Sequence, residues 1–67
     1  MRNTHMEEFK AGKSALSAAI KIHDGHLSGK IPTTGKEGEE SQMKMMGLMQ
    51  RALIAFESMD SMMKDME

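Results

Sequence analysis

Apolar residues recur with a period of 3.5 residues through residues 40–67, and this period constrains the fold more than any other feature of the sequence. Eight of the ten methionines lie in this segment. Successive apolar positions are separated by four and three residues in alternation, which places them on one stripe of an α-helix. The stripe consists of Met45, Met49, Ala52, Phe56, Met59, Met63 and Met66.

Two shorter apolar rows flank this stripe and widen the apolar surface of the predicted helix. Met46 and Leu53 lie on one side of the stripe, and Leu48, Ala55 and Met62 lie on the other. One neighbouring helix covers only the narrow seam of a heptad repeat. The helix is therefore predicted to pack against more than one partner.

The chain is too short to bury a large core by itself. A domain of about 60 residues buries only about 60% of the surface that its unfolded chain exposes. The 67 residues include no cysteine, so disulfide bonds cannot supply the missing stability. Oligomerisation is the expected source of that stability, and the lack of cysteine favours a reducing, cytoplasmic location.

The N-terminal part of the sequence predicts a second helix over about residues 5–27. Thr4 and Glu7 have the spacing of a capping box at its start. Gly29 is the favoured stop, because glycine readily takes the left-handed conformation that follows a helix. The predicted inner face of this helix consists of Phe9, Gly12, Leu16, Ala19, Ile20, His23 and Leu27.

A polar, glycine-rich connection over about residues 28–38 separates the two helices. Pro32 prevents the first helix from continuing, and Ile31 is expected to pin the connection against the helices. Gly38 argues for a late start of the second helix, which is predicted over about residues 39–66. The whole chain is therefore predicted to be one all-α domain, an antiparallel helical hairpin that self-associates into a bundle of two or more copies.

Composition argues against several classes of function. The formal net charge of −1 and the presence of only two aromatic residues disfavour nucleic-acid binding. No apolar run reaches the ~18 residues of a membrane span. Because the sequence has neither a cysteine nucleophile nor a Gly-x-Ser-x-Gly motif, we predict that the protein is not an enzyme and uses no cofactor. His23 and His26 are spaced like metal ligands, but a structural zinc site takes four ligands, so no metal site is predicted.

The methionine-rich surface predicts a function in binding other proteins. Methionine is flexible and polarisable, so a methionine-rich face adapts to the shape of a partner. We predict a small regulatory protein of the inhibitor or adaptor type, in the style of small phage-encoded proteins, that docks on a larger protein. The simpler interpretation is that the methionine stripe is only the core and the oligomer interface.

Two sets of residues are predicted to make these contacts. The oligomer interface is predicted at Phe9, Leu16, Ile20, Met45, Met49, Ala52, Phe56, Met59 and Met63. The partner-binding residues are predicted at Met46, Ile54 and Met62. Most of these residues belong to the second helix, which is therefore expected to dominate both kinds of contact.

A different class of function arises from the connection between the helices. Its lysines, hydroxyls and flexible amides precede a helix N-terminus, where anions bind well. In an oligomer, several such connections could hold a phosphorylated small molecule or a cyclic nucleotide. The residues concerned are Lys30, Thr33, Thr34, Gly35 and Lys36. The segment is not a P-loop, because the glycine spacing, the hydroxyl residue and the preceding strand of that motif are missing, and an ordinary solvated connection is the competing interpretation.

Overall fold

The computed structural model describes residues 4–65 and shows two helices packed against each other. The helices are α1 (Thr4–Ser28) and α2 (Gly35–Asp65), and they contact each other along the hairpin. The hairpin measures 47 × 16 × 15 Å. Within residues 4–65 the structure contains helices and a short connection but no strand, which confirms the all-α helical hairpin. The capping hydroxyl of Thr4 and the last stripe residue, Met66, lie outside the side chains that the structure describes.

Helix α1 ends where the sequence predicted. Gly29 takes a left-handed conformation with a φ of 79°, and its amide donates to the carbonyl of His26 at 3.3 Å. The amide of Ile31 donates to the carbonyl of Gly25 at 3.0 Å, and the Ile31 side chain lies directly over Gly25. The connection is therefore pinned to the end of α1 by Ile31, as expected.

Helix α2 begins at Gly35, four residues earlier than the predicted start at residue 39. The prediction was wrong because it treated Gly38 as a helix breaker. Gly38 is buried inside α2, and a Cβ atom there would lie 2.8 Å from the carbonyl oxygen of Thr33. The glycine is needed because the preceding backbone packs closely against the first turn of the helix.

The contact between the helices is a heptad seam, but it is formed by smaller residues than the sequence analysis predicted. Among the residues that the structure describes, the buried hydrophobic ones are four alanines, with exposed fractions of 3–5%. In α1 the seam, which is buried or half-buried throughout, consists of His5, Glu8, Gly12, Ala15, Ala19, Ile22 and His26. In α2 it consists of Gly38, Ser41, Met45, Leu48, Ala52, Ala55, Met59 and Met62.

The period of the apolar pattern was therefore correct, but its phase was wrong. In α2 the seam keeps Met45, Ala52 and Met59 and replaces Met49, Phe56 and Met63 by the residues that precede them. This change corresponds to a rotation of about 50° around the helix axis, since successive residues are about 100° apart. Small residues occupy the inner positions because glycine and alanine let two helix backbones approach closely. The larger apolar residues consequently point outward.

Candidate functional site: an exposed apolar face

Most of the large apolar side chains that the seam excludes form one continuous surface of the hairpin. Most of them lie one residue after a seam position, on both helices. In an antiparallel pair these two rows fall on the same side, because the helices run in opposite directions. We call this surface the apolar face, and its exposed members are Phe9, Leu16, Ile20, Leu27, Met46, Met49, Leu53 and Met63.

Contacts between the helices confirm that both rows belong to one surface. A groove of about 260 Å³ runs between them and is lined by Leu16, Ala19, Ile20, His23 and Met49. Phe56 is half-buried and covers Gly12, so that a Cβ atom on Gly12 would lie 2.9 Å from the ring. The groove and the ring together make a shallow, mostly apolar floor at the centre of the face.

The opposite side of the hairpin has a different character. With the exception of Ile54, the described residues that precede the seam positions are small or polar, including Ala11, Ser14, Ala18 and Lys21 on α1 and Glu40, Lys44, Gly47 and Arg51 on α2. The hairpin is therefore a plate with one apolar and one polar face. Monomeric proteins rarely expose a contiguous apolar surface of this extent without a partner for it.

The predicted oligomer-interface residues divide between two locations. Phe9, Leu16, Ile20, Met49 and Met63 lie on the apolar face, where they are 40–51% exposed. Met45, Ala52 and Met59 belong instead to the seam inside the hairpin, and Phe56 lies at the boundary between the two. The first group is the most exposed, whereas Met45, Phe56 and Met59 are half-buried and Ala52 is buried.

The predicted partner-binding residues are not brought together. Met46 lies on the apolar face and is 52% exposed, whereas Ile54 lies on the outer side of α2 and is 67% exposed. Met62 is a half-buried seam residue. Met43, which the sequence analysis did not select, is 73% exposed and lies within about 20° of Ile54 around α2, since eleven residues make almost three full turns. We call Met43 and Ile54 the outer stripe.

The connection between the helices contributes one of its predicted ligand-binding residues to a groove. Lys30 lines a cleft of about 490 Å³ together with Lys21, Asp24, Gly25, Ser28 and Ile31. Thr33, Thr34, Gly35 and Lys36 are exposed and do not belong to this lining. Sequence reasoning missed Lys21, because the turn after α1 is what brings Lys30 to the same cleft.

A hydrogen-bonded pair near the turn was also missed by sequence reasoning. The Ser41 hydroxyl donates to the carbonyl of Gly38 at 3.0 Å, so its oxygen accepts from Nε2 of His26, 2.8 Å away. The hydrogen-bond network therefore places a proton on Nε2 of His26. This direction is the reverse of nucleophile activation, in which the imidazole accepts the hydroxyl proton. The pair therefore locks the two helices together at this end.

His23 and His26 lie in different environments. His23 lines the apolar groove, and His26 lies in the seam against Ser41. In the described part of the chain, no group of three or more His, Cys, Asp or Glu side chains is arranged to hold a metal ion.

Neither described helix has an apolar stretch long enough to cross a bilayer. Comparison of the chain with protein-family models, with curated proteins and with solved structures gives no significant match.

Proposed function

We propose that this chain is a small, non-enzymatic binding protein of the cytoplasm that self-associates through its apolar face and docks on a larger protein. One observation supports the proposal above all others. Eleven large hydrophobic side chains of the described residues are at least 40% exposed, whereas the buried hydrophobic residues are four alanines. A chain that places its apolar bulk outside its own core has the composition of an interface.

The outer stripe is the part of this surface that we assign to the larger protein. Met43 and Ile54 are among the most exposed apolar side chains of α2. Gly47 lies between them in sequence, and a Cβ atom added there would meet nothing within 4 Å. The surface there is flat at its centre and flexible at Met43, so a partner helix can lie against it. The inhibitor or adaptor role follows from this proposal, because a chain of this size acts mainly by occupying the surface of a larger protein.

Affinity capture with paired variants tests the docking proposal. The tagged full chain is used to capture a partner from its source organism, and the purified partner is then titrated against the variants. We expect Ile54→Glu to weaken binding at least tenfold, as for a residue at the centre of an interface. Ser17→Glu is the matched control, because it adds the same charge at an exposed position of α1. Equal binding by the two variants would exclude the outer stripe.

The cleft beside the turn favours one alternative function, the binding of a phosphorylated ligand or a cyclic nucleotide. Lys21 and Lys30 both line it, together with the Ser28 hydroxyl, although this hydroxyl already donates to the carbonyl of Gly25 at 3.2 Å. Asp24 lowers the net positive charge of the cleft. Lys30→Ala would abolish ligand capture under this alternative and leave docking through Ile54 unchanged.

A further inference from the structure

Within residues 4–65 of one hairpin, no large hydrophobic side chain is fully buried. The hairpin's buried hydrophobic residues are Ala15, Ala19, Ala52 and Ala55, which contribute little burial apart from the backbone. A chain of this size needs additional apolar burial to be stable. The cover over the apolar face must therefore be present whenever the chain is folded, and a second copy of the chain is the partner that is always available.

The size of the apolar face suits a second copy. A long side of the hairpin, 47 Å by 16 Å, has a footprint of about 750 Å², close to the ~800 Å² that each partner contributes to a stable interface. The formal net charge of −1 produces little repulsion between two copies.

The apolar row of α1 reads almost the same in both directions. Phe9 and Leu27 lie equally far from residue 18, and so do Leu16 and Ile20. A two-fold axis that crosses α1 at this height places Phe9 against Leu27 of the second copy and Leu16 against its Ile20. Each large side chain therefore meets another one, as a symmetric interface requires.

The row of α2 has its centre at the same height. Gly12 lies against Phe56 and His26 bonds to Ser41, so residues at equal height on the two helices have numbers that add up to 67 or 68. Residue 18 of α1 is therefore level with residues 49–50 of α2. Met46 and Leu53 lie symmetrically about this level, so one axis pairs the large side chains near the centre of both helices.

We infer that the apolar face binds a second copy of the chain about a two-fold axis that lies in the face, perpendicular to the helices at the level of residues 18 and 49. The product is an antiparallel four-helix bundle with α1 on α1 and α2 on α2. This inference rests on the self-association proposed above and specifies its partner and register. The outer stripe remains exposed in this dimer, so docking on a larger protein stays available.

Charges at the edge of the face agree with this register. Lys13 falls beside Asp24 and His23 of the second copy, and symmetry makes this contact twice. The same register brings Glu39 near Asp60 of the second copy at each end. That repulsion is reduced because Asp60 already pairs with Lys64 at 3.4 Å and because exposed carboxylates are screened by salt.

The competing symmetric arrangement matches the side chains less well. An axis parallel to the helices would place α1 on α2 of the second copy, with the turns at the same end. Phe9 would then lie near Asp60 of the second copy, and Leu27 near its Gln42. Each of the large side chains at the two ends of the α1 row would face a polar group, which leaves its apolar surface without a partner.

Unique cysteines distinguish the two registers. The natural chain has none, so a Phe9→Cys chain is mixed with a Leu27→Cys chain under mild oxidation, and a second sample combines Phe9→Cys with Asp60→Cys. We expect a disulfide-linked heterodimer in the first mixture only. Phe9→Cys alone stays reduced, because equivalent positions in the inferred dimer lie about 27 Å apart along the helices. Cross-linking in the second mixture alone would overturn the inferred register.

Sedimentation equilibrium of the unmodified, purified chain tests the dimer independently of any docking partner. We expect a dimer at micromolar concentration, and a monomer up to about 100 μM would overturn the inference while leaving the outer-stripe proposal intact. Lys13→Asp and Asp24→Lys should each raise the dimer dissociation constant roughly two- to tenfold. The double variant Lys13→Asp/Asp24→Lys should restore it, and failure of this rescue would contradict the pairing.

Discussion

Two glycines inside α2 provide a sharp test of the hairpin, because the same substitution should have opposite effects at the two positions. At Gly47 an added Cβ meets nothing within 4 Å, so Gly47→Ala should gain the helix propensity of alanine, about 1 kcal/mol. At Gly38 the added Cβ would collide with the Thr33 carbonyl, whose oxygen would be 2.8 Å away. Overpacking of this kind costs about 1–3 kcal/mol, and the helix propensity of alanine offsets about 1 kcal/mol of that cost. Gly38→Ala should therefore be less stable than the unsubstituted chain by about 1 kcal/mol.

Thermal unfolding monitored by helical circular dichroism measures both effects. The two variants should differ by about 2 kcal/mol, or about 8–16 °C in Tm for a chain of this length. All samples must have the same concentration, since association shifts the apparent stability. If Gly38→Ala proved as stable as Gly47→Ala, the backbone of Thr33 could not pack against the first turn of α2, and the early helix start at Gly35 would be refuted.

Three further predictions concern the turn, the centre of the apolar face and its cover. Ser41→Ala should destabilise the fold by about 1–3 kcal/mol in urea unfolding, because it leaves the Nε2–H of His26 without an acceptor, whereas Ser41→Thr should keep the bond. Phe56→Ala should cost about 2–3 kcal/mol in the same assay, below the ~3–5 kcal/mol of a fully buried phenylalanine, because Phe56 is only half-buried. Peroxide oxidation followed by mass spectrometry should modify Met43 at a rate independent of protein concentration and Met49 more slowly as the inferred dimer forms.

The sequence predicted the hairpin well because the relevant signals are local. A heptad period, a glycine at the end of α1 and a proline in the connection each act within a few residues of themselves. Gly29 and Ile31 behave as predicted for this reason. Gly38 does not, because its role depends on where the backbone of Thr33 comes to lie, and this is a property of the folded turn rather than of the local sequence.

The phase of the seam could not be read from hydrophobicity alone. A prediction from hydrophobicity places the largest apolar side chains inside, because it assumes that the burial of large side chains decides the contact. Two helices joined by a short turn gain more from close approach of their backbones, and small residues permit that approach. The buried alanines Ala15 and Ala19 on α1 and Ala52 and Ala55 on α2 all lie in the seam. Rows of small residues at heptad spacing on both helices are the signal that would have given the correct phase.

The same rotation explains why the candidate site was only partly predicted. Leu16 and Met49, each one position after a seam residue, are predicted interface residues because they are large and apolar. They are exposed because the seam takes small residues at the neighbouring positions. Met45 was selected by the same criterion and lies inside the hairpin. Hydrophobicity identifies residues that need cover, but only the packing of the two helices decides which of them must obtain that cover from another molecule.

Close packing through small residues also links stability to association. Because the fully buried hydrophobic residues of the described seam are alanines, the large side chains with the most surface still to bury are those on the apolar face, and their burial requires a second molecule. Folding of the chain should therefore depend on its concentration. The outer stripe is free of this constraint, since Met43 and Ile54 contribute to neither the seam nor the inferred dimer. If the docking proposal is correct, the outer stripe could therefore change in sequence without loss of the fold, whereas Leu16, Ile20 and Met49 could not.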